Sequence, residues 1–186
     1  MDTTNPDSAV ISATQRWLER AVIGLNLCPF AKAVHAKGQI RYVVSSATTP
    51  EALADDVLRE LEFLAEANAE QVDTTLLIHP QVLTDFLDFN DFLDVADGII
   101  DELELDGILQ VASFHPQFQF EGTEADDITN YSNRSPYPIL HLLREDSVER
   151  AAAAFPEDLE IASANIATLQ KLGHDGWKAL EIPSAE

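Results

Sequence analysis

Hydrophobic and polar residues follow two periods along the chain, and they predict helices that alternate with strands. Apolar residues from Val10 to Val22 recur at helical spacing, with Ser8 as the expected N-cap and Gly24 close to the end of the helix. Three runs rich in apolar or β-branched residues and bounded by turn formers predict strands. They cover residues 40–45, 74–78 and 108–114.

Helical segments connect the predicted strands. Thr49, Pro50 and Glu51 form a helix start with a cap, a proline in the first position and an acid in the first turn. A second helix is predicted from Thr84 to Glu104, where apolar residues lie three and four positions apart. Further helices are predicted over residues 138–143, 147–154 and 159–172.

The alternation of strands and helices predicts an α/β fold with a small, mostly parallel, three-stranded core sheet flanked by helices. A length of 186 residues fits a single domain over 1–186, and we expect residues 1–7 and 182–186 to be flexible. Residues 116–138 have no helical period. A connection of this length after the third strand is unusual for an idle loop and is the first place to look for a site.

Charge excludes some partners. The chain has 33 acidic and 11 basic residues and a net charge of −22, so its surface repels nucleic acids and anionic membranes. Such a surface is typical of a soluble acidic protein, and it also fits a non-catalytic protein that docks a basic partner.

Compartment and membrane topology follow from a few absences in the sequence. Cys28 is the only cysteine, so no internal disulfide forms, as in proteins of a reducing compartment. No secretory signal precedes the first helix, and no apolar run approaches the roughly 20 residues that span a bilayer. We therefore expect a cytoplasmic protein. The sequence indicates neither a cofactor nor an oligomeric state.

Two predicted strands end in the same way, with a histidine before a proline. In a parallel sheet His79 and His115 would lie at one edge together with Ser45 and Ser46. Two imidazoles there could act as acid and base, with Asp126 as a further proton carrier. Alternatively, each histidine forms a hydrogen bond at a strand end.

The segment that follows is rich in hydrogen-bonding groups. Arg134 offers a forked donor for a carboxylate or phosphate, and Asn130, Tyr131 and Asn133 offer directional hydrogen bonds. Ser135 before a proline is typical of a helix cap, whose following amides would attract an anion.

The alternative is a structural loop that satisfies its own backbone. In that case Arg134 pairs with Asp126 or Asp127.

Three further interpretations remain open. Cys28 could be a nucleophile with His35 as its base, although a lone cysteine between Leu and Pro is more often buried. His141, flanked by leucines, is more typical of the core than of a catalytic site. A metal site would combine His79 and His115 with Asp126 or Asp127.

Three stretches of sequence carry a resemblance to a known family. They are Ser-Phe-His-Pro at 113–116, Asn-Tyr-Ser-Asn-Arg-Ser-Pro-Tyr-Pro at 130–138 and His-Leu-Leu-Arg-Glu at 141–145. With Trp17 and residues 26–30, the chain resembles a bacterial family of unknown function, numbered fourteen-fifteen among such families. The resemblance implies a bacterial cytoplasmic protein and no catalytic roles.

The leading hypothesis is an enzyme or binding protein for a small anionic metabolite. Arg134, Asn133 and the amides after Ser135 would hold the anion, and His115 with His79 or Asp126 would move protons. The alternatives are the two-histidine, one-carboxylate metal enzyme and the acidic interaction protein.

Overall fold

A mixed four-stranded sheet lies at the centre of the protein, in a computed structural model that describes residues 5–154 and 160–184. The strands are β1 (Ile40–Val44), β2 (Thr74–Ile78), β3 (Leu109–Phe114) and β4 (Ile139–Arg144), in the spatial order β1-β2-β4-β3. β1 and β2 pair in parallel, whereas β4 is antiparallel to both β2 and β3. The first three strands therefore point the same way, and β4 runs against them.

The α/β class is confirmed, but the prediction of a mostly parallel three-stranded sheet is wrong. Residues 138–143, predicted as a helix, form most of β4, which lies between β2 and β3. The strand is covered on both faces, so Ile139, Leu140 and Leu142 are all fully buried. A short run that is apolar on both faces has no strand period, and it cannot be told from a buried helix by pattern alone.

Helices cover the sheet. They are α1 (Pro6–Trp17), a π-helical continuation (Leu18–Ile23), α2 (Ala31–Ala36), α3 (Pro50–Glu66), α4 (Phe86–Glu102), α5 (Glu145–Ala153) and α6 (Ile161–Ala179). α1 begins at Pro6 rather than Val10, because Asn5 and not Ser8 is the cap: its side chain accepts the Asp7 N–H at 3.2 Å. Thr49 caps α3 as predicted, by accepting the Ala52 N–H.

The C-terminal helices differ from the prediction in detail. α5 begins directly after β4, and α6 extends to Ala179, beyond the predicted end at Leu172. Leu159, the predicted start of the last helix, lies outside the described residues, as do 1–4 and 185–186 of the ends predicted to be flexible. Gly173 has a φ of 67° and kinks α6, which redirects the last turns of the helix.

The two faces of the sheet pack against different helices. On one face Leu77 and Leu140 contact α3 and α4 through residues such as Leu53 and Phe89. On the other face Leu76, Ile78 and Ile139 pack with Trp17 and the π-helical segment. Successive residues of β2 and β4 point to opposite faces of the sheet, so both strands contribute side chains to both cores. No helix within residues 5–154 and 160–184 combines the length and apolar character needed to cross a membrane.

Candidate functional site

The structure brings the two strand-end histidines together. His79 follows β2 and His115 follows β3, and both rings pack against Phe89, at centroid distances of 5.6 Å and 5.0 Å. Phe86 lies one turn earlier on α4, and the centroid of its ring is 5.5 Å from that of His115. Both histidines are fully buried beneath these rings, so they are shielded from solvent rather than open to it.

His79 holds the turn that follows β2. Its Nδ1–H donates to the Val82 carbonyl at 3.0 Å, which assigns the proton to Nδ1 and leaves Nε2 unprotonated. Nε2 is buried and has no hydrogen-bond partner among the described residues. Burial lowers the pKa of His79 to about 4, with a smaller contribution from neighbouring His115. The ring is therefore neutral at physiological pH.

His115 uses both of its ring nitrogens. Nε2–H donates to the Leu83 carbonyl at 3.0 Å, and Nδ1 accepts the Gln117 N–H at 3.0 Å. Burial lowers the pKa of His115 despite the bond to Leu83, which opposes the shift. Leu83 itself has a φ of 56°, so the imidazole bond stabilises an unfavourable backbone conformation. The pair thus fixes the turn between β2 and α4.

Residues 116–138 form an ordered connection with a 3₁₀ helix at Ile128–Asn133. Asn130 is its fully buried centre. Its Oδ1 accepts the Phe120 N–H and lies 2.9 Å from the Thr123 hydroxyl, and its Nδ2 donates to the Glu124 carbonyl, also at 2.9 Å. All of these partners belong to the connection itself, so Asn130 organises the loop and presents nothing to a ligand.

Replacing Asn130 by Ala is expected to lower the free energy of unfolding by about 1–3 kcal/mol, because the loop loses the hydrogen bonds that this fully buried amide makes to Phe120, Thr123 and Glu124. Urea denaturation measures the change. Asn90, exposed on α4, is the matched control, and its replacement by Ala should change stability by less than about 0.5 kcal/mol. Equal effects of the two substitutions would contradict this role.

Asn133 and Ser135 also bond inside the protein. The Asn133 Nδ2 donates to the Ser113 carbonyl at 3.0 Å, and its own carbonyl accepts the His115 N–H at 3.0 Å. The Ser135 hydroxyl donates to the Tyr137 carbonyl. The prediction that Ser135 caps a helix is wrong, because the chain enters a strand there and no helix end offers free amides.

Arg134 is held by backbone carbonyls. Its Nε donates to the Phe118 carbonyl at 2.9 Å and its Nη2 to the Ala125 carbonyl at 2.6 Å. The guanidinium also lies over the Tyr131 ring, 4.8 Å from the centroid. No carboxylate of the described chain lies within 4.0 Å of it. These two hydrogen bonds therefore fix the orientation of the Arg134 guanidinium without neutralising its charge.

The alternative pairing of Arg134 with an aspartate is not formed. Asp127 caps the 3₁₀ helix and accepts the Thr129 N–H at 2.9 Å and the Thr129 hydroxyl at 2.8 Å. These bonds lower the pKa of Asp127, so it stays ionised in its capping role. Asp126 is exposed on the neighbouring turn.

A cavity of about 240 Å³ opens beside Arg134. Tyr131 and Trp177 form an edge-to-face aromatic pair at 5.1 Å on its wall. The other lining residues are Pro116, Ser135, Pro136, Ile182, Pro183 and Ser184. Sequence reasoning missed Trp177, and no local signal could have found it, because Trp177 is far from the loop in sequence and reaches it through the packing of α6 against the 3₁₀ helix.

Arg20 anchors the end of the chain that borders this cavity. Its Nη1 donates to the Leu180 and Glu181 carbonyls, at 3.2 Å and 2.9 Å. Residues 182–184, which follow directly, line the cavity. Arg20, in the π-helical segment after α1, therefore helps to position a cavity wall that lies more than 150 positions away in sequence.

The metal alternative has no support in the geometry. Within residues 5–154 and 160–184, no three His, Cys, Asp or Glu side chains form a group that could hold a metal ion. Both nitrogens of His115 are already bonded to the backbone, and Asp127 serves as a cap. Nε2 of His79 has no hydrogen-bond partner in the described part of the chain, but a single imidazole nitrogen does not make a metal site.

Cys28 and His141 both belong to the core. Cys28 is half-buried, and desolvation raises the pKa of its thiol, which disfavours the thiolate that a nucleophile needs. His35, its suggested base, lies 3.1 Å from a Glu19 carboxylate oxygen instead. His141 Nε2 lies 2.8 Å from the Thr74 hydroxyl, and burial lowers the pKa of His141 to about 4.

Comparison with known proteins gives a family and no activity. No curated protein matches the chain, and no solved structure matches it. A family model described as a protein of unknown function, DUF1415, matches residues 9–179, which include both histidines, the loop and Trp177. The chain therefore belongs to the DUF1415 family of proteins of unknown function.

Proposed function

We propose that this protein binds a small carboxylate- or phosphate-bearing molecule in the cavity beside Arg134. The observation that carries the proposal is an oriented guanidinium at the wall of a cavity, with no carboxylate of the described chain to neutralise it. An incoming anion would supply the negative charge that the described chain does not place beside this oriented guanidinium.

The bonds of the guanidinium indicate how an anion would be held. A guanidinium has five N–H donors in a rigid fork. Two groups, Nε and Nη2, bond to the Phe118 and Ala125 carbonyls, while Nη1 makes no bond within the described chain. These tethers fix the plane of the fork before the ligand arrives, which lowers the entropy cost of binding.

The walls suggest the rest of the ligand. Tyr131 and Trp177 present aromatic surface, and Pro116 and Pro136 add rigid apolar surface. The volume of about 240 Å³ lies below the roughly 300–1,000 Å³ of cavities for drug-sized ligands. The cavity therefore suits a small anion with an apolar or flat body.

The proposal covers binding and not catalysis. His115 precedes Pro116 of the cavity wall, but its ring is buried and both nitrogens are bonded to the backbone. His79 lies deeper, against Phe89. In this proposal the two imidazoles hold the turn that supports the site, and they transfer no proton to the ligand.

Replacing Arg134 by Gln is expected to weaken binding of small anions about 10- to 100-fold, because hydrogen bonds to a charged group contribute about 1.5–3 kcal/mol. Titration of acetate, benzoate, malonate and inorganic phosphate, followed by the fluorescence of Trp177 in a Trp17→Phe background, measures the affinity. Arg134→Lys keeps the charge but loses the fork, and it should bind with intermediate affinity.

Arg16, which is exposed on α1, provides the matched control. Arg16→Gln removes the same charge and should leave the titration unchanged. Equal affinity of Arg134→Gln and the parent protein, or no saturable response to any of the four anions, would rule out the proposal. A protein that only docks a basic partner on its acidic surface would give that negative result, together with salt-sensitive association.

A further inference from the structure

A second cavity, of about 440 Å³, lies at the opposite edge of the sheet, between α2, the start of β2 and α5. We propose that it binds a zwitterion, a small molecule such as an α-amino acid that carries both an ammonium and a carboxylate group. Its lining combines one carboxylate, Asp73, with two cationic side chains, Lys37 and Arg150. This site is separate from the Arg134 cavity and does not depend on it.

Asp73 would receive the ammonium group. The residue is buried, with 9% exposure, and its Oδ1 accepts the Ser147 hydroxyl at 2.6 Å and lies 3.7 Å from Arg144 Nε. Oδ2 makes no hydrogen bond within the described chain, although Asp73 borders the cavity. A partly desolvated carboxylate oxygen without a donor is a favourable acceptor for an ammonium group.

Arg150 and Lys37 would receive the carboxylate group. Arg150 Nη2 donates to the Ser147 hydroxyl at 3.1 Å, and Lys37 lies at the C-terminal end of α2. Within the described residues neither cation has a carboxylate within 4.0 Å. The wall of the cavity therefore carries two cationic side chains and one carboxylate.

Ser147 fixes the spacing between the two charges. Its hydroxyl donates to Asp73 and accepts from Arg150, so one buried side chain links both ends of the proposed recognition set. Arg144 forms an ion pair with Asp73. Its Nη2 donates to the Ala67 and Val72 carbonyls, each at 2.9 Å, and these bonds fix the position of the guanidinium. A site with both charges held in place discriminates against molecules that carry only one of them.

The apolar part of the wall accounts for the remainder of the ligand. Phe30 and Val34 are buried residues of the small core beneath α5, and both border the cavity. They would contact the side chain of an amino acid. The volume exceeds what the two charged groups alone require, so a ligand with an apolar side chain should bind better than glycine.

Isothermal calorimetry with L-phenylalanine and two matched analogues tests the proposal. The analogues are 3-phenylpropionate, which lacks the ammonium group, and phenethylamine, which lacks the carboxylate. We expect phenylalanine to bind at least about tenfold more tightly than either analogue, since each lost charge contact is worth about 1.4 kcal/mol or more. Asp73→Asn should abolish the advantage over 3-phenylpropionate, and Arg150→Gln the advantage over phenethylamine.

Two further variants separate the possible results. Lys37 and Arg150 are exposed, so Lys37→Gln and Arg150→Gln keep the test valid if Asp73→Asn fails to fold. All of these titrations use the Arg134→Gln protein as the parent, because phenylalanine and 3-phenylpropionate each carry a carboxylate that the Arg134 cavity is proposed to bind. The measured binding then reports the second cavity alone. Tighter or equal binding of 3-phenylpropionate would overturn the zwitterion in favour of a simple anion, and no saturable binding of phenylalanine or glycine at millimolar concentration would overturn the site.

Discussion

Acidification from about pH 7 to about pH 4.5 is expected to lower the free energy of unfolding by several kcal/mol through two histidines, fully buried His79 and half-buried His141. Burial lowers the pKa of His79 and of His141 to about 4, from an ordinary value of 6.5. Both rings lie against the sheet, His79 beneath Phe89 and His141 beside Phe114. Neither can be protonated in the folded protein without placing a charge in an apolar core.

The sign of this effect follows from proton binding. Below about pH 6.5 each histidine of the unfolded chain takes up a proton, whereas the folded protein binds it only near pH 4. The unfolded state therefore gains protons first, and stability present above pH 6.5 is lost as the pH falls through this window. A shift of this size corresponds to roughly 3 kcal/mol for each residue.

Urea denaturation at several pH values would measure the slope. His79→Gln and His141→Gln should each flatten the dependence of stability on pH between about 6.5 and 4, whatever their effect at neutral pH. His174, exposed on α6, is the control, and His174→Gln should keep the parent slope. A slope that is the same in all four proteins would assign the acid sensitivity to other groups, His115 or the carboxylates, instead.

Phe89→Ala is expected to cost about 3–5 kcal/mol of stability, the usual range for removing a buried aromatic ring. The ring is fully buried and packs against His79, His115 and Phe86. The centroids of the Phe86 and Phe89 rings are 6.4 Å apart. Its loss would leave a cavity below both imidazoles and loosen the turn whose Val82 and Leu83 carbonyls they hold.

Leu87, on the same helix and 70% exposed, provides the comparison. Leu87→Ala should change stability by less than about 0.5 kcal/mol in the same urea titration. Hydrogen exchange of the amides between His79 and Asp85 would report the local loosening. A Phe89→Ala protein with parent stability would mean that the histidine pair is held by the backbone alone.

Much of the fold could be predicted because local periodicity is a direct consequence of burial. Thr49, Pro50 and Glu51 predicted the start of α3, and the run of apolar and β-branched residues at 74–78 predicted β2. The prediction failed at β4, because a six-residue segment with apolar residues in two adjacent pairs has no period that separates strand from helix.

Part of the candidate site followed from strand direction. β1, β2 and β3 point the same way, so His79 and His115 meet at one edge even though β4 separates their strands. Their chemistry was less predictable. Whether an imidazole faces solvent or the carbonyl of a nearby turn depends on the packing of Phe86 and Phe89, and the sequence near each histidine does not contain that information.

The amino-acid sequence by itself determined the class of fold, most of its elements, the acidic surface and the family resemblance, since each depends on residues close together in the chain. Tertiary structure alone decided which groups share a cavity. Arg134 and Trp177 line one cavity because the C-terminal part of α6, beyond the kink at Gly173, lies beside the loop. Asp73 and Arg150 line another because β4 runs antiparallel to β2 and places α5 near the start of β2. Such contacts depend on chain direction and packing over long separations, which no local pattern records.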